Sequence, residues 1–356
     1  MLIKFPSINQ ILRLLVGTVF VFSGLIKLND PIEFSLTIQT YFQGFAIDFS
    51  SLFLLLIPYS LLIAISVCVV EIILGVALLL KFELKLVIRA LFLLTGFFTL
   101  LTLYTLWFDR VDSCGCLSSA IPLTPRQSFT KNILLLLALH LLNKHSRHIT
   151  YQRYASLTLV YLILIGIFSI GIGWYTSSRL PIIDFGPYQV GSNISMLIQP
   201  SSISQHKYGL EKDKSILETG SANPTGKPKV TNFTIWDEKK EITQEVLEGS
   251  KLICIVHKPS NLNEKDKAIL QAFVDNILSP LESLWLLPLH EEKEGLPPFI
   301  MNHIAWGSAG LLRSMMRADL GFLLLQNGVV IGKWGYKDLV KVKSHLIKLG
   351  FYKLTV

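Results

Sequence analysis

The run LFLLLIPYSLLIAISVCVVEIILGVALLL, residues 52–80, decides the fold. Its single charged residue is Glu71. A helix rising 1.5 Å per residue needs roughly 20 apolar residues to cross about 30 Å of hydrocarbon. This run exceeds that, so it must tilt or begin outside the hydrocarbon, with Pro58 set to kink its first turns. A lone carboxylate in such a span is costly unless it faces a helical interior and is paired or protonated.

Four further apolar runs lie outward from it, at residues 8–28, 86–108, 129–142 and 155–175. The 129–142 run is short and can start near Pro125, since proline is tolerated in a first helical turn. The expectation is therefore a helical membrane bundle of five spans followed by a soluble domain. Composition agrees. Of 356 residues 51% are hydrophobic and only 16% charged, with a mean hydropathy of +0.50, where a soluble chain carries about a quarter charged residues. The deficit lies before Tyr175; from Lys207 onward the chain reads as an ordinary soluble domain. The first run lacks a small-x-small cleavage site and leads into Asn29-Asp30-Pro31, which marks a retained helix.

The formal charge of +8 does not point to nucleic acid, because the cations of the first half sit at the ends of apolar runs. Lys4 and Arg13, then Lys81, Lys85 and Arg89, then Lys144, Arg147 and Arg153 all fall on one side of five alternating spans. The positive-inside rule makes that side, and the N-terminus, cytoplasmic. The domain after Thr176 and the turn Cys114-Gly115-Cys116 then share the opposite, oxidising compartment. For a bacterial inner membrane that compartment is the periplasm. Residues 29–50 form an outer connection, and Phe34, Tyr41, Phe42 and Phe45 suggest an interfacial piece with its rings among the headgroups.

Three polar features stand out. Glu71, in the inner half of its helix, has Arg13 and Arg89 as candidate partners, either as a proton- or quinone-linked site or as a packing ion pair. Lys27 is expected to snorkel from the outer end of the first helix, with Asp30 pairing with it or capping the next segment. Cys114 and Cys116, separated by one glycine, can close a strained and labile disulfide. Asp109 and Asp112 would raise their pKa and Arg110 would lower it. The same turn can equally be a static staple; as a metal site it supplies only half of four ligands, so no metal is expected. Cys68 and Cys254 read as buried hydrophobes.

In the soluble half, residues 221–229 read as a hinge. The segment from Leu180 to Ile194, which includes Asp184-Phe185-Gly186-Pro187-Tyr188, is expected to pack on the outer face of the bundle. Strands follow at 231–236 and 252–256, a helix at 264–277 with Ile269, Phe273 and Ile277 on one stripe, and a strand at 283–289. A helix at 310–316, a hairpin of 322–326 and 329–334 about Asn327-Gly328, and a helix at 337–349 complete it.

That element order resembles the thioredoxin-like fold, carried by Asn232-Phe233-Thr234-Ile235-Trp236-Asp237 and Gly249-Ser250-Lys251-Leu252-Ile253. The family's dithiol would follow the second strand, where this chain has His257-Lys258-Pro259-Ser260-Asn261; Asp319-Leu320-Gly321 replaces the proline before the hairpin. The membrane half resembles the DoxX/MauE group, on Phe22-Ser23-Gly24-Leu25-Ile26-Lys27-Leu28-Asn29-Asp30-Pro31, Glu71, Cys114-Gly115-Cys116-Leu117, Leu123-Thr124-Pro125 and Lys131-Asn132. The whole chain is similar to DoxX-family fusion proteins of the Bacteroidetes. The resemblance implies a four-helix DoxX-like bundle at 1–150, a fifth transmembrane helix at 151–178, a connecting segment at 179–229 and a thioredoxin-like domain without CxxC at 230–356. It also implies disulfide formation in, or maturation of, a periplasmic protein. Leu117-Ser118-Ser119 departs from the Phe-Gly-Asp that often follows the cysteine turn in that group.

These readings converge on a membrane thiol–disulfide factor. Cys114 and Cys116 would carry the chemistry, with Lys27, Asp30, Glu71 and Asp112 in support. An extracytoplasmic protein is the expected partner and a membrane quinone the candidate electron acceptor. The rival is a non-enzymatic, membrane-anchored binding or assembly protein with a structural cysteine turn. A transporter is disfavoured by the small bundle and the absence of a second polar span.

Overall fold

The computed structural model describes residues 8–108, 123–145, 155–198, 233–238, 240–258, 263–278, 281–289, 300 and 303–353. The chain divides into two compact units, Met1–Ile183 and Asp184–Val356.

The first unit is helical: α1 (Ile8–Asn29), α2 (Pro31–Asp48), a 3-10 segment (Ser51–Tyr59), α3 (Ser60–Leu79), α4 (Leu84–Phe108), α5 (Pro125–His145) and α6 (Ala155–Ser177). Among the described residues, four of its stretches are long and apolar enough to cross a membrane: Ile8–Asn29, Ser51–Leu79, Leu84–Phe108 and Ser156–Ser177. It is a multi-pass membrane bundle. Local sequence sets the boundaries. Asp30 caps α2 by accepting from the Glu33 amide at 3.0 Å, with Pro31 as the first helical residue. The anticipated kink at Pro58 takes the form of 3-10 turns ahead of α3. At the head of α5, Thr124 and Gln127 form a reciprocal capping box, Thr124 N to Gln127 Oε1 at 2.9 Å and Gln127 N to Thr124 Oγ1 at 3.3 Å, with Pro125 at the first position.

Helices α1 and α3 run antiparallel at close range because glycine permits it. A Cβ on Gly24 would lie 3.0 Å from the Cys68 carbonyl oxygen, and one on Gly75 would lie 3.0 Å from that of Gly17. Val16, Phe20, Leu78, Leu91 and Leu139 fill the core among α1, α3, α4 and α5. The aromatic residues of α2 do not spread among headgroups as their sequence suggests. Tyr41 is buried, its hydroxyl 2.8 Å from that of Thr105, and Phe45 packs edge-on against Tyr104 at 4.7 Å. A hydroxyl and an aromatic face on α4 give these rings a better site than the interface does.

The second unit is mixed α/β. Its sheet has the order β1-β4-β3-β2-β5-β6, with β1 (Ile235–Trp236), β2 (Ser250–Val256), β3 (Glu282–Pro288), β4 (Ile304–Gly307), β5 (Leu320–Gln326) and β6 (Val329–Gly335). Strands β2, β3 and β4 are parallel, β5 runs antiparallel to β2, and β6 runs antiparallel to β5. The hairpin turns on Asn327 and Gly328, both at positive φ (48° and 76°), as a two-residue turn matching strand twist demands. Cys254, Trp285, Phe322, Phe273 and Leu346 centre the core. Leu270 and Phe273 are the buried face of the Glu264–Val274 helix, whereas Ile269 is 36% exposed; the apolar stripe is rotated from the one read in the sequence. Strand β4 was not anticipated, since its four residues are too few to show an alternation.

The expectation for the segment at 180–194 holds only at its start. Asn29 Nδ2 at the end of α1 donates to Ile183 O at 2.7 Å and Ile183 N donates to Asn29 Oδ1 at 3.0 Å, whereas from Asp184 onward the chain packs on the α/β unit. Asp184 pairs with Lys333 of β6 at 2.6 Å, and Tyr188 is buried against Phe233. Gly191 N donates to Val330 O at 2.7 Å and Val330 N to Ser192 O at 2.9 Å. The segment takes this place because β6 is an edge strand whose amides and carbonyls need partners. The hinge read at 221–229 lies outside the described residues.

Candidate functional site

Lys27 and Glu71 meet inside the bundle. Lys27 Nζ donates to Glu71 Oε1 at 2.6 Å, with the two side chains only 1% and 2% exposed. Ser23 Oγ donates to Glu71 Oε2 at 3.3 Å. The ammonium also lies 5.0 Å from the Phe34 ring centroid and 4.8 Å from that of Phe98, so aromatic faces replace part of its lost hydration. A carboxylate, itself accepting from a hydroxyl, and two rings thus hold one cation in an apolar interior.

This geometry corrects two expectations. Lys27 does not snorkel, because its counter-charge lies inside. Glu71 does not pair with Arg13 or Arg89. Arg13 sits near the far end of α3, where it donates to the Leu78 carbonyl at 2.9 Å and also to that of Leu79. It satisfies orphan carbonyls at a helix C-terminus and favours the dipole there. Seven residues, about 10 Å of helix, separate Leu78 from Glu71. Arg89 is exposed on the outer surface. Asp30 takes the capping role, one of the two foreseen for it.

Beside the ion pair is a cavity of about 20 Å³, lined among others by Ser23, Lys27, Glu71, Thr95, Lys131 and Asn132. That is room for about one water molecule. Asn132 is 2% exposed, and its Nδ2 has no hydrogen-bond partner among the described residues. Thr95, by contrast, satisfies its hydroxyl within its own helix, donating to Leu91 O at 2.6 Å. Among the described residues the site therefore has an unused donor lining the same cavity as a buried carboxylate, and can hold and orient a proton-carrying molecule of water size. Thr95 and Asn132 were not assigned to a site from sequence. Their signals are modest: threonines at 95, 99, 102 and 105 in helical register, and a polar pair, Lys131-Asn132, leading an apolar run.

Cys114, Cys116 and Asp112 lie outside the described residues. The two described cysteines, Cys68 and Cys254, are free thiols and fully buried. Burial pushes the Cys254 thiol well up, the setting of an inert core cysteine.

Residues 6–143, which contain the ion pair, the cavity and the Cys114-Gly115-Cys116 turn, match the family model described as methylamine utilisation protein MauE. This part of the chain is a DoxX/MauE-like membrane domain. No curated protein and no solved structure matches the chain. Within the MauE-like domain, the charged side chains that meet in the interior come from α1 and α3, the helices that glycine brings closest together.

The α/β unit holds a second polar centre, at the end of β2. His257 N donates to Asp319 O at 2.9 Å, and its Nε2 lies 2.8 Å from Met316 O. Burial first, and the Arg313 guanidinium second, depress its pKa to about 4. It is a neutral imidazole that ties β2 to the chain entering β5. Asp184 shows the opposite balance: burial would raise its pKa, but Lys333 and the Gly186 amide together bring it below its usual value.

Proposed function

We propose that the chain is an inner-membrane thiol–disulfide factor acting on an extracytoplasmic protein through Cys114 and Cys116. The observation that carries the reading is the buried Lys27–Glu71 pair with its water-sized cavity, set in the same MauE-like domain as the two cysteines. Disulfide exchange moves protons with electrons, and an internal acid–base pair has use in such a domain. A dithiol partner giving up two electrons and two protons would reduce the Cys114–Cys116 disulfide to a dithiol. A membrane quinone accepting two electrons and two protons would restore it and become the quinol. In this scheme Glu71 and Lys27 relay protons, Asp30 fixes the start of α2 beside them, and Asp112 tunes the adjacent thiols.

The topology belongs to the same proposal. Helix α5 crosses with the four longer spans, the N-terminus is cytoplasmic and the α/β unit is periplasmic. We read that unit as a thioredoxin-like domain that docks the partner. The order β3-β2-β5-β6, parallel across the first pair and antiparallel across the others, supports this reading. His257 stands at the strand end where a dithiol would follow, and the Lys258-Pro259-Ser260-Asn261 that follows it holds no cysteine, which favours binding over exchange. The same observation favours the rival reading, an assembly protein whose cysteine turn is only a staple.

Thiol trapping of Cys114 and Cys116 in native membranes against glutathione potentials separates the two. A midpoint between roughly −100 and −230 mV is the exchange-protein range, whereas a bond intact below about −300 mV is structural. A Cys116→Ser variant should then retain a mixed disulfide to its partner through Cys114.

A further inference from the structure

The bundle carries a groove on its outer surface between the start of α4 and the end of α5. It encloses about 330 Å³ and is lined by Ile88, Arg89, Phe92, Leu93, His140 and Asn143. We infer that it is a binding site for an anionic glycerophospholipid, with the phosphate at Arg89 and His140 and an acyl chain along Phe92 and Leu93. The inference rests on the multi-pass membrane bundle and not on the thiol reading.

The chemistry is layered as such a lipid is. Arg89 lies five residues inside the first residue of α4, and His140 five residues inside the last residue of α5. At 1.5 Å per residue both sit about 7.5 Å below their helix ends, so a guanidinium and an imidazole share one depth. Phe92 and Leu93 lie one turn deeper and are 42% and 74% exposed. Cation above and bare hydrocarbon below is the profile of a phosphodiester headgroup over its acyl chains. Arginine suits the upper position, since its planar fork can bind two phosphate oxygens and its stem can snorkel.

Charge favours an acidic headgroup over a zwitterionic one. Lys81, Lys85 and Lys144 are exposed at the same end of the bundle, with Glu83 as the acid among them. Four cations counting Arg89, less one carboxylate, leave three positive charges around the groove. Basic pockets between spanning helices on the positive side of a membrane suit anionic lipid headgroups, at about fivefold in affinity per cation near the surface.

The test is lipid retention by the full chain in detergent, measured by native mass spectrometry after adding phosphatidylglycerol or phosphatidylcholine with matched acyl chains. The expected result is at least about fivefold preferential retention of phosphatidylglycerol. That preference should be lost in an Arg89→Ala/His140→Ala double variant and weakened without being lost in Lys144→Ala, which removes one of the surrounding charges but nothing that lines the groove. Arg89 and His140 are exposed, so the double variant should keep the wild-type melting temperature, which is checked in parallel. Equal retention of the two lipids by the wild type would overturn the proposal, as would a preference that survives the double variant. Displacement of the lipid by millimolar glycerol phosphate, or by a short-chain quinone, would also overturn it by assigning the groove to a different ligand.

Discussion

Removing one member of the Lys27–Glu71 pair should be far worse than removing both. The two side chains are 1% and 2% exposed and 2.6 Å apart. Two unit charges at 4 Å attract by about 4 kcal/mol at an effective dielectric of about 20, which offsets much of the cost of dehydrating them. Glu71→Leu strands an ammonium whose remaining support includes two aromatic faces, and Lys27→Met strands a carboxylate. Each should cost about 3–5 kcal/mol, the usual penalty for breaking a buried pair from one side. Lys27→Met/Glu71→Leu replaces the pair with apolar groups of similar volume and should fall within about 1 kcal/mol of the wild type. The assay is equilibrium unfolding of the full chain in detergent, taken round the double-mutant cycle. Additive losses, with the double variant about 6–10 kcal/mol down, would refute the pairing. The cycle also separates packing from function. If the pair relays protons, the double variant recovers stability but not thiol exchange by Cys114 and Cys116. If it only holds α1 to α3, both recover together.

Three further outcomes follow from other parts of the molecule. His257 titrates at about 4 in the folded chain against an ordinary 6.5, so as pH falls the unfolded chain takes up the proton first. Stability of the α/β unit should decline from pH 6.5 to pH 4 by roughly 3 kcal/mol, a slope that tryptophan-monitored urea unfolding should find largely absent in His257→Asn. Gly75→Val would place a Cβ 2.8 Å from Val21 Cγ2 and 3.0 Å from the Gly17 carbonyl oxygen; backbone cannot yield cheaply, and the bundle should lose about 1–3 kcal/mol by the detergent unfolding assay. Lys333→Met leaves the half-buried Asp184 carboxylate without its cation and should cost about 1–3 kcal/mol. Hydrogen exchange should report it as faster exchange at the Gly191 and Val330 amides, and unchanged protection there would count against the pairing.

The spans were legible because a continuous apolar run has few alternatives, and residue 8 as the start of α1 and residue 108 as the end of α4 could be read directly. The α/β unit was legible where local chemistry is strong, as in the Asn327-Gly328 turn and the all-apolar β2. The pairing inside the bundle was not. Sequence places Lys27 near a helix end and Glu71 near the middle of another, and depth alone favours arginines closer to the presumed level. What decides is rotation: Gly17, Gly24 and Gly75 bring α1 and α3 together on the faces that carry Lys27 and Glu71. Asn132 was hidden for a related reason, since an asparagine at the head of an apolar helix reads as solvated until its neighbours close over it. The 180–194 segment was assigned correctly at its start, where Ile183 meets Asn29, and not beyond it, because its aromatic and turn residues declare that it packs, but not upon what.

That segment has a practical consequence. Residues 184–198 and 233–353 fold as one body, although a long stretch of chain separates them in sequence. A soluble fragment begun at residue 230 would carry β6 bare, with open amides and carbonyls inviting strand-to-strand aggregation. An expression boundary at residue 184 retains that cover. A protease that nicks the intervening chain would sever the polypeptide without releasing the domain, which would stay with the membrane fraction until denatured.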